Sequence, residues 1–140
     1  MTNKSRIIFA IIGLIIFSFC VEGWGADWRL YFSGDYGDHY YDTESITHPS
    51  KNILRVWEKW VFTEQGVIQM VTEVGEKYKT LSFQIVLSEV DCAEKKFRGL
   101  SINSYSKDGG VLYTKDFQDL NWNFIVPESN GDILYKILCK

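Results

Sequence analysis

The sequence holds two histidines, His39 and His48, and only His39 has acids around it: Asp35, Asp38, Asp42 and Glu44. Imidazole and carboxylates at close spacing are the donors of a divalent-cation site. Their order, however, lacks the oxygen ligands at fixed alternate positions and the late bidentate glutamate of a calcium loop. A solvated turn in which Asp42 caps its own backbone accounts for the same residues. Cys20, Cys92 and Cys139 are too scattered for zinc, which needs clustered ligands. A Ser-His-Asp set would have to be assembled by folding alone, since no nucleophile-elbow motif occurs. Glu128 and Asp132 are paired carboxylates, but glycoside hydrolysis also needs a cleft between its two acids. Beside the start of a helix the same two acids serve its positive end. There is no glycine-rich phosphate loop. These residues point to a protein that is not an enzyme and carries no metal and no cofactor.

Aromatic surface is what the chain has to spare. Trp57, Trp60, Trp122, Tyr40, Tyr41, Tyr105 and Tyr113 exceed what one small core needs. Packing takes most of them, and any excess left on one face of a sheet is a surface for binding protein, because Tyr and Trp concentrate binding energy. Unpaired strand edges offer a second mode, adding a partner's strand or a second copy of the chain.

The N-terminus sets the compartment. Lys4 and Arg6 precede an apolar run over residues 7–19, IIFAIIGLIIFSF. A basic start followed by about 7–15 apolar residues is the secretory signal layout. A retained membrane anchor, the alternative, would want roughly 20. Val21 with Gly23, or Gly23 with Gly25, supplies the small residues that signal peptidase prefers, so residues 1–26 are assigned to the signal peptide. Cys20 would accept lipid in a lipoprotein, and only then would the membrane be a partner. Phe19, where a small residue is required, disfavours that. The mature part, residues 27–140, is about 115 residues, the size of one domain. The whole chain has a net charge of −3, and losing Lys4 and Arg6 makes it more negative. That argues against nucleic acid and anionic membrane as partners. Cys92 and Cys139 remain as an even pair in an exported chain, which reads as a disulfide.

Around these residues the chain punctuates itself into strands. Residues 27–32 and 39–42 are short strands, with a loop around Pro49. In ILRVWEKWVF, residues 53–62, Leu54, Val56, Trp60 and Phe62 share one face, interrupted by Glu58. Residues 63–79 read equally as strand or helical turn. Over 80–92, Leu81, Phe83, Ile85 and Leu87 form an inward face with a period of two. Glu89 then falls on the apolar parity and Val90 on the polar one, which predicts a bulge or twist near Ser88. Ala93-Glu94-Lys95 turns the chain into a partner strand over 97–105. Asp108-Gly109 then closes a hairpin into 111–115, and a further strand covers 123–126. After Ser129-Asn130-Gly131 the period changes: Ile133, Leu134, Ile137 and Leu138 form one helical stripe. A helix of about ten residues cannot stand alone in water. It must dock, and Cys139 directs it to the strand end at Cys92. The fold class is α+β: a single antiparallel sheet, a meander, with a C-terminal helix packed on it and tied by a disulfide.

The sequence resembles the surface-adhesin protein E family. The resemblance runs through DWRLYFSGDYGDHYYDTESI and ILRVWEKWVF, then LSEVDCAEKKFRGLSINSYSKDGGVL, then WNFIVPESNGDILYKILC. Its most specific elements are Asp91-Cys92, the hairpin that follows, the Pro127-x-Ser129 step and the closing Cys139. It implies an antiparallel sheet with a disulfide-tied C-terminal helix. It also implies a surface or envelope protein, its founding type lipidated and binding host matrix and serum proteins; Phe19 departs from that lipid-attachment pattern.

The sequence thus describes an exported binding module, in the periplasm or on the outer surface, that takes an extracellular or envelope protein as ligand. The alternative is a structural component of the envelope that self-associates, a homodimer for example. N-terminal sequencing of the exported protein should begin between Val21 and Asp27. Retention of Met1 would overturn the signal assignment, and acyl mass on Cys20 would identify a lipoprotein.

Overall fold

The structure, a computed structural model, describes residues 25–140. The signal-peptide assignment and the question of Cys20 lie outside the described residues. Eight strands form one antiparallel sheet: β1 (Trp28–Gly34), β2 (Gly37–Asp42), β3 (Thr47–Ser50), β4 (Ile53–Phe62), β5 (Leu81–Asp91), β6 (Lys96–Ser106), β7 (Val111–Asp116) and β8 (Asn123–Phe124). Two helices complete the fold, α1 (Glu64–Val74) and α2 (Asn130–Leu138). The sheet order is β1-β2-β4-β5-β6-β7; β3 pairs with the start of β4, and β8 with the start of β6. Pro49, expected in a loop, lies in β3, a short exposed strand where a residue without an N–H is tolerated.

Cross-strand partners point to the same face, so the register of β4 against β5 sorts the side chains. The two strands pair without a shift from Ile53↔Asp91 to Val61↔Phe83. Leu54, Val56, Glu58 and Trp60 therefore share a face with Val90, Ser88, Val86 and Gln84, all buried except the half-buried Trp60. Ile125 of the C-terminal segment and Leu134 of α2 are buried against this covered face. Phe83, Ile85 and Leu87, expected inward, lie on the opposite face and are only half-buried. We call that face open. From Phe83 to Asp91 β5 alternates without interruption, but Ser82 is an extra residue at its start, since Leu81 pairs with Ser106 and Phe83 with Tyr105, and it leaves Leu81 buried. The irregularity expected near Ser88 is present, but the extra residue is Leu100 on β6, since Leu87 pairs with Ser101 and Ser88 with Gly99.

The segment left open between strand and helix is helix α1. Thr63 caps it, accepting from the Gly66 N–H at 3.1 Å and donating to the Asp35 carbonyl at 2.6 Å. A Cβ on Gly66 would come within 2.0 Å of the Tyr36 carbonyl oxygen, so the helix start rests directly on the β1–β2 turn. Neighbours in sequence do not reveal that contact. The turns read from sequence form as the residues require: Asp91 Oδ1 accepts from the N–H groups of Ala93 and Glu94, and Gly109 takes φ 88°.

Helix α2 begins at the cap Ser129, whose hydroxyl oxygen accepts from the Asp132 N–H at 3.3 Å. Leu134 is buried, while Ile133, Ile137 and Leu138 are half-buried. Asp132 is buried as well. Lys136 sits 2.8 Å from its Oδ2, which also accepts the Glu128 N–H. Lys95 Nζ lies 2.9 Å from Oδ1, off line for a directed hydrogen bond, and satisfies that oxygen by charge. Lys136 thus reaches back one turn. Cys92 and Cys139 are bonded, with Cα atoms 5.4 Å apart, and the Tyr135 hydroxyl donates to the Cys92 carbonyl at 3.1 Å.

The bond closes a separation of 47 residues, worth about 4 kcal/mol in the chain-entropy account. Cys139→Ser should lower the melting temperature by on the order of 15 °C and open the C-terminal helix to protease. An unchanged melting temperature, or two free thiols titrating in the native exported protein, would contradict the bond.

Candidate functional site

The seven aromatics singled out from sequence are all half-buried, but they divide between the two faces. Tyr40, Trp57 and Tyr105 belong to the open face, placed there by their partners Lys59, Leu87 and Phe83. Trp60, Tyr41 and Tyr113 belong to the covered face, where Tyr113 meets the buried Tyr78 edge-on. Trp122 lies beyond β7 and covers the Arg98 guanidinium at 4.3 Å.

The open face has an aromatic part and an ionic part. Phe83 and Tyr105 stack with ring centres 4.8 Å apart, and Lys59 Nζ sits over Phe83 at 4.8 Å and over Trp28 at 6.0 Å. Leu30 and Val111 are exposed at its two margins, on the strands that end the sheet. Toward the β5–β6 turn stands Glu89, only 1 % exposed. Arg55 Nη2 is 2.7 Å from its Oε1 and Arg98 Nη2 is 2.7 Å from its Oε2. Burial opposes ionisation of Glu89, but hydrogen bonds and charge from the two arginines outweigh it and hold the group below the usual carboxylate range.

On the covered face a cleft of about 700 Å³ crosses the sheet beneath α2. Val86, Val90, Ile102, Ile125 and Leu134 make most of it apolar. Tyr31, His39, Glu58 and Trp60 line its β1-β2-β4 side, and Ser88, Ser129 and Asn130 line it as well. Tyr31 is the extra residue of a bulge between Leu30 and Phe32, and its hydroxyl donates to Glu58 Oε2 at 2.7 Å. Trp60 Nε1 donates to the same oxygen at 3.3 Å. Burial, with Glu58 beside it, pushes the Tyr31 hydroxyl far above the ordinary tyrosine range, so it remains a donor. His39 packs against Tyr31, Phe32 and Trp60 with ring centres 5.2 to 5.9 Å away. Burial lowers its pKa, which Asp38 partly offsets.

Two of the acids near His39 are engaged locally. Asp42 Oδ1 accepts from the N–H groups of Asp27 and Glu44, and Asp38 accepts from Ser33. Among the described residues no three His, Cys, Asp or Glu side chains converge on a metal position. His48 is exposed on β3. Sequence reasoning missed Tyr31, Glu58 and Glu89 as site residues, although both glutamates carried a signal: each interrupts an apolar parity.

The profile described as surface-adhesin protein E matches residues 28–140. Among solved structures, the selenomethionine form of Haemophilus influenzae protein E is 12 % identical with a TM-score of 0.48, covering 78 % of this chain and 89 % of that one. Crystal form II of the same protein gives 12 % and 0.48, covering 78 % and 91 %. Protein E from non-typeable Haemophilus influenzae gives 12 % and 0.47, covering 79 % and 74 %. No curated protein matches the chain.

His39 and Glu89 are the first groups to act as pH falls, ahead of Asp27, Asp108 and Asp132, which are held below their ordinary 3.8. His39 binds a proton less readily folded than unfolded, so its contribution is present above its ordinary value of 6.5 and lost as pH falls through it. Glu89, lowered on folding, contributes above its ordinary 4.5 and loses that contribution below. Thermal denaturation across falling pH should show two successive losses, the first abolished by His39→Gln and the second reduced by Glu89→Gln. A profile flat down to pH 4.5 would contradict the burial of His39.

Proposed function

Because the chain belongs to the surface-adhesin protein E family, we propose that its mature domain is an exported binding module that grips another protein with the open face of its sheet. The family is one of exported, surface-exposed proteins. Residues 1–26 act as the signal peptide, and the mature domain works in the periplasm or on the outer cell surface as a binding protein without catalytic activity. The observation that supports this most is the half-exposed aromatic group on the open face: Tyr40, Trp57, Phe83 and Tyr105 around Lys59. Phe83 and Tyr105 already stack on one another, so less of their side-chain freedom is lost when a partner covers them. Contiguous apolar surface of this kind on a folded domain marks an interaction site. The ligand is an extracellular or envelope protein.

Self-association is a second reading, favoured by β1 and β7, which end the sheet and expose Leu30 and Val111. Light scattering of the purified domain separates the two, since the leading reading expects a monomer without ligand. In pull-downs from cell envelope and from matrix proteins, Tyr40→Ala and Trp57→Ala should each weaken capture by about 2 kcal/mol, roughly thirtyfold. Unchanged capture by both variants would exclude the open face. Protease shaving of intact cells assigns the side of the outer membrane.

A further inference from the structure

We propose that the cleft on the covered face binds a small amphipathic molecule with an apolar body and a protonated amine head, the amine donating to Glu58 Oε1. The site does not depend on the open face, which lies on the other side of the sheet.

Size and lining are those of a ligand site. Its volume of about 700 Å³ lies within the roughly 300–1,000 Å³ usual for small-molecule pockets. The lining follows the usual plan too, a mostly apolar wall with a few polar groups, of which Glu58 is the one charged residue among those described. From Tyr31 on β1 to Ile102 on β6 it spans four strand spacings, roughly 19 Å, enough for an extended chain. Phe97 and Val126 line it and are 41 % and 65 % exposed, so it opens to solvent beside them.

Glu58 identifies the head group. The residue is 5 % exposed, and both of its donors, Tyr31 and Trp60, go to Oε2. Among the described residues Oε1 accepts no hydrogen bond and Glu58 joins no ion pair. Oε1 is not sealed off and faces the cleft's solvent, where a cation would match it best. His39 does not fill that role, because burial leaves it uncharged at neutral pH and its ring nitrogen lies 3.5 Å from the Tyr31 oxygen. Among the described residues no Lys or Arg lines the cleft, so an anionic head would find an acid and no counter-charge there. Glu89 shows what a completed site looks like in this chain, since each of its oxygens meets an arginine.

The test uses the exported, disulfide-bonded protein and three probes of one chain length, decylammonium, decanol and decanoate, below their micellar concentrations. Calorimetry should give saturable one-to-one binding of decylammonium, roughly tenfold or more tighter than decanol, with decanoate weaker still. Glu58→Gln keeps the side-chain shape and an acceptor for Tyr31. It should lose roughly tenfold in affinity for the amine while binding decanol as before. Amide shifts in NMR should move along Val86, Val90 and Leu134. Decanoate binding as tightly as decylammonium, no saturable binding of any probe, or shifts centred on Trp57 would overturn the proposal. Should the variant not fold, the order of the three probes on the wild-type protein decides it.

Discussion

β4 and β5 pair without a shift over their whole overlap, and because side chains alternate strictly along a strand, that register assigns each of them to one face of the sheet. Counting apolar residues on β5 alone would bury Phe83, Ile85 and Leu87, and a one-residue slip would do so. Glu89 shows why the observed register holds. On the open face it meets Arg55 from β4 and Arg98 from β6, one on each oxygen. Slipped to the other face it would lie under α2 among Ile125 and Leu134, a nearly buried charge without a partner, which costs more than half-exposing three apolar side chains. Electrostatics on one face thus decides what the other face covers.

Once the faces are fixed, α2 closes the covered one, and nine residues of helix need help to stay there. Three attachments meet at its two ends. Asp132 in the first turn draws in Lys95 from the β5–β6 turn and Lys136 from its own next turn. Cys139 binds Cys92 at the far end, and Tyr135 between them donates to the Cys92 carbonyl. The covalent attachment depends on an oxidising compartment, so export and the closed face are linked through chemistry. With the helix held, Leu134 roofs the cleft instead of collapsing onto Val86.

The two faces present different surfaces. The open face offers broad, pre-packed aromatic area, suited to another protein's surface. The cleft offers enclosure and one unmatched acceptor, suited to a small molecule. The polar corner of the cleft exists only because the β1 bulge inserts Tyr31 and turns its hydroxyl toward Glu58, 27 residues further along the chain.

By itself the sequence determined what depends on near neighbours. The strand periods, the Asp91 and Asp108-Gly109 turns and the cap at Ser129 followed from local conformational preference, as did the helical stripe after it. The two cysteines beyond the apolar run, the missing catalytic motifs, the aromatic excess and the family resemblance were also written in order along the chain. Only the tertiary structure decided which parity of β5 is covered, because that depends on Arg55 and Arg98, far from Glu89 along the chain or across a turn. Only it revealed α1, whose Gly66 is required by the carbonyl of Tyr36, 30 residues earlier. The interrupting glutamates were visible from the start as misfits in apolar patterns. Whether each would find its partners was a matter of which strands lie side by side, and that is fixed by pairing across the sheet, not by any neighbour in sequence.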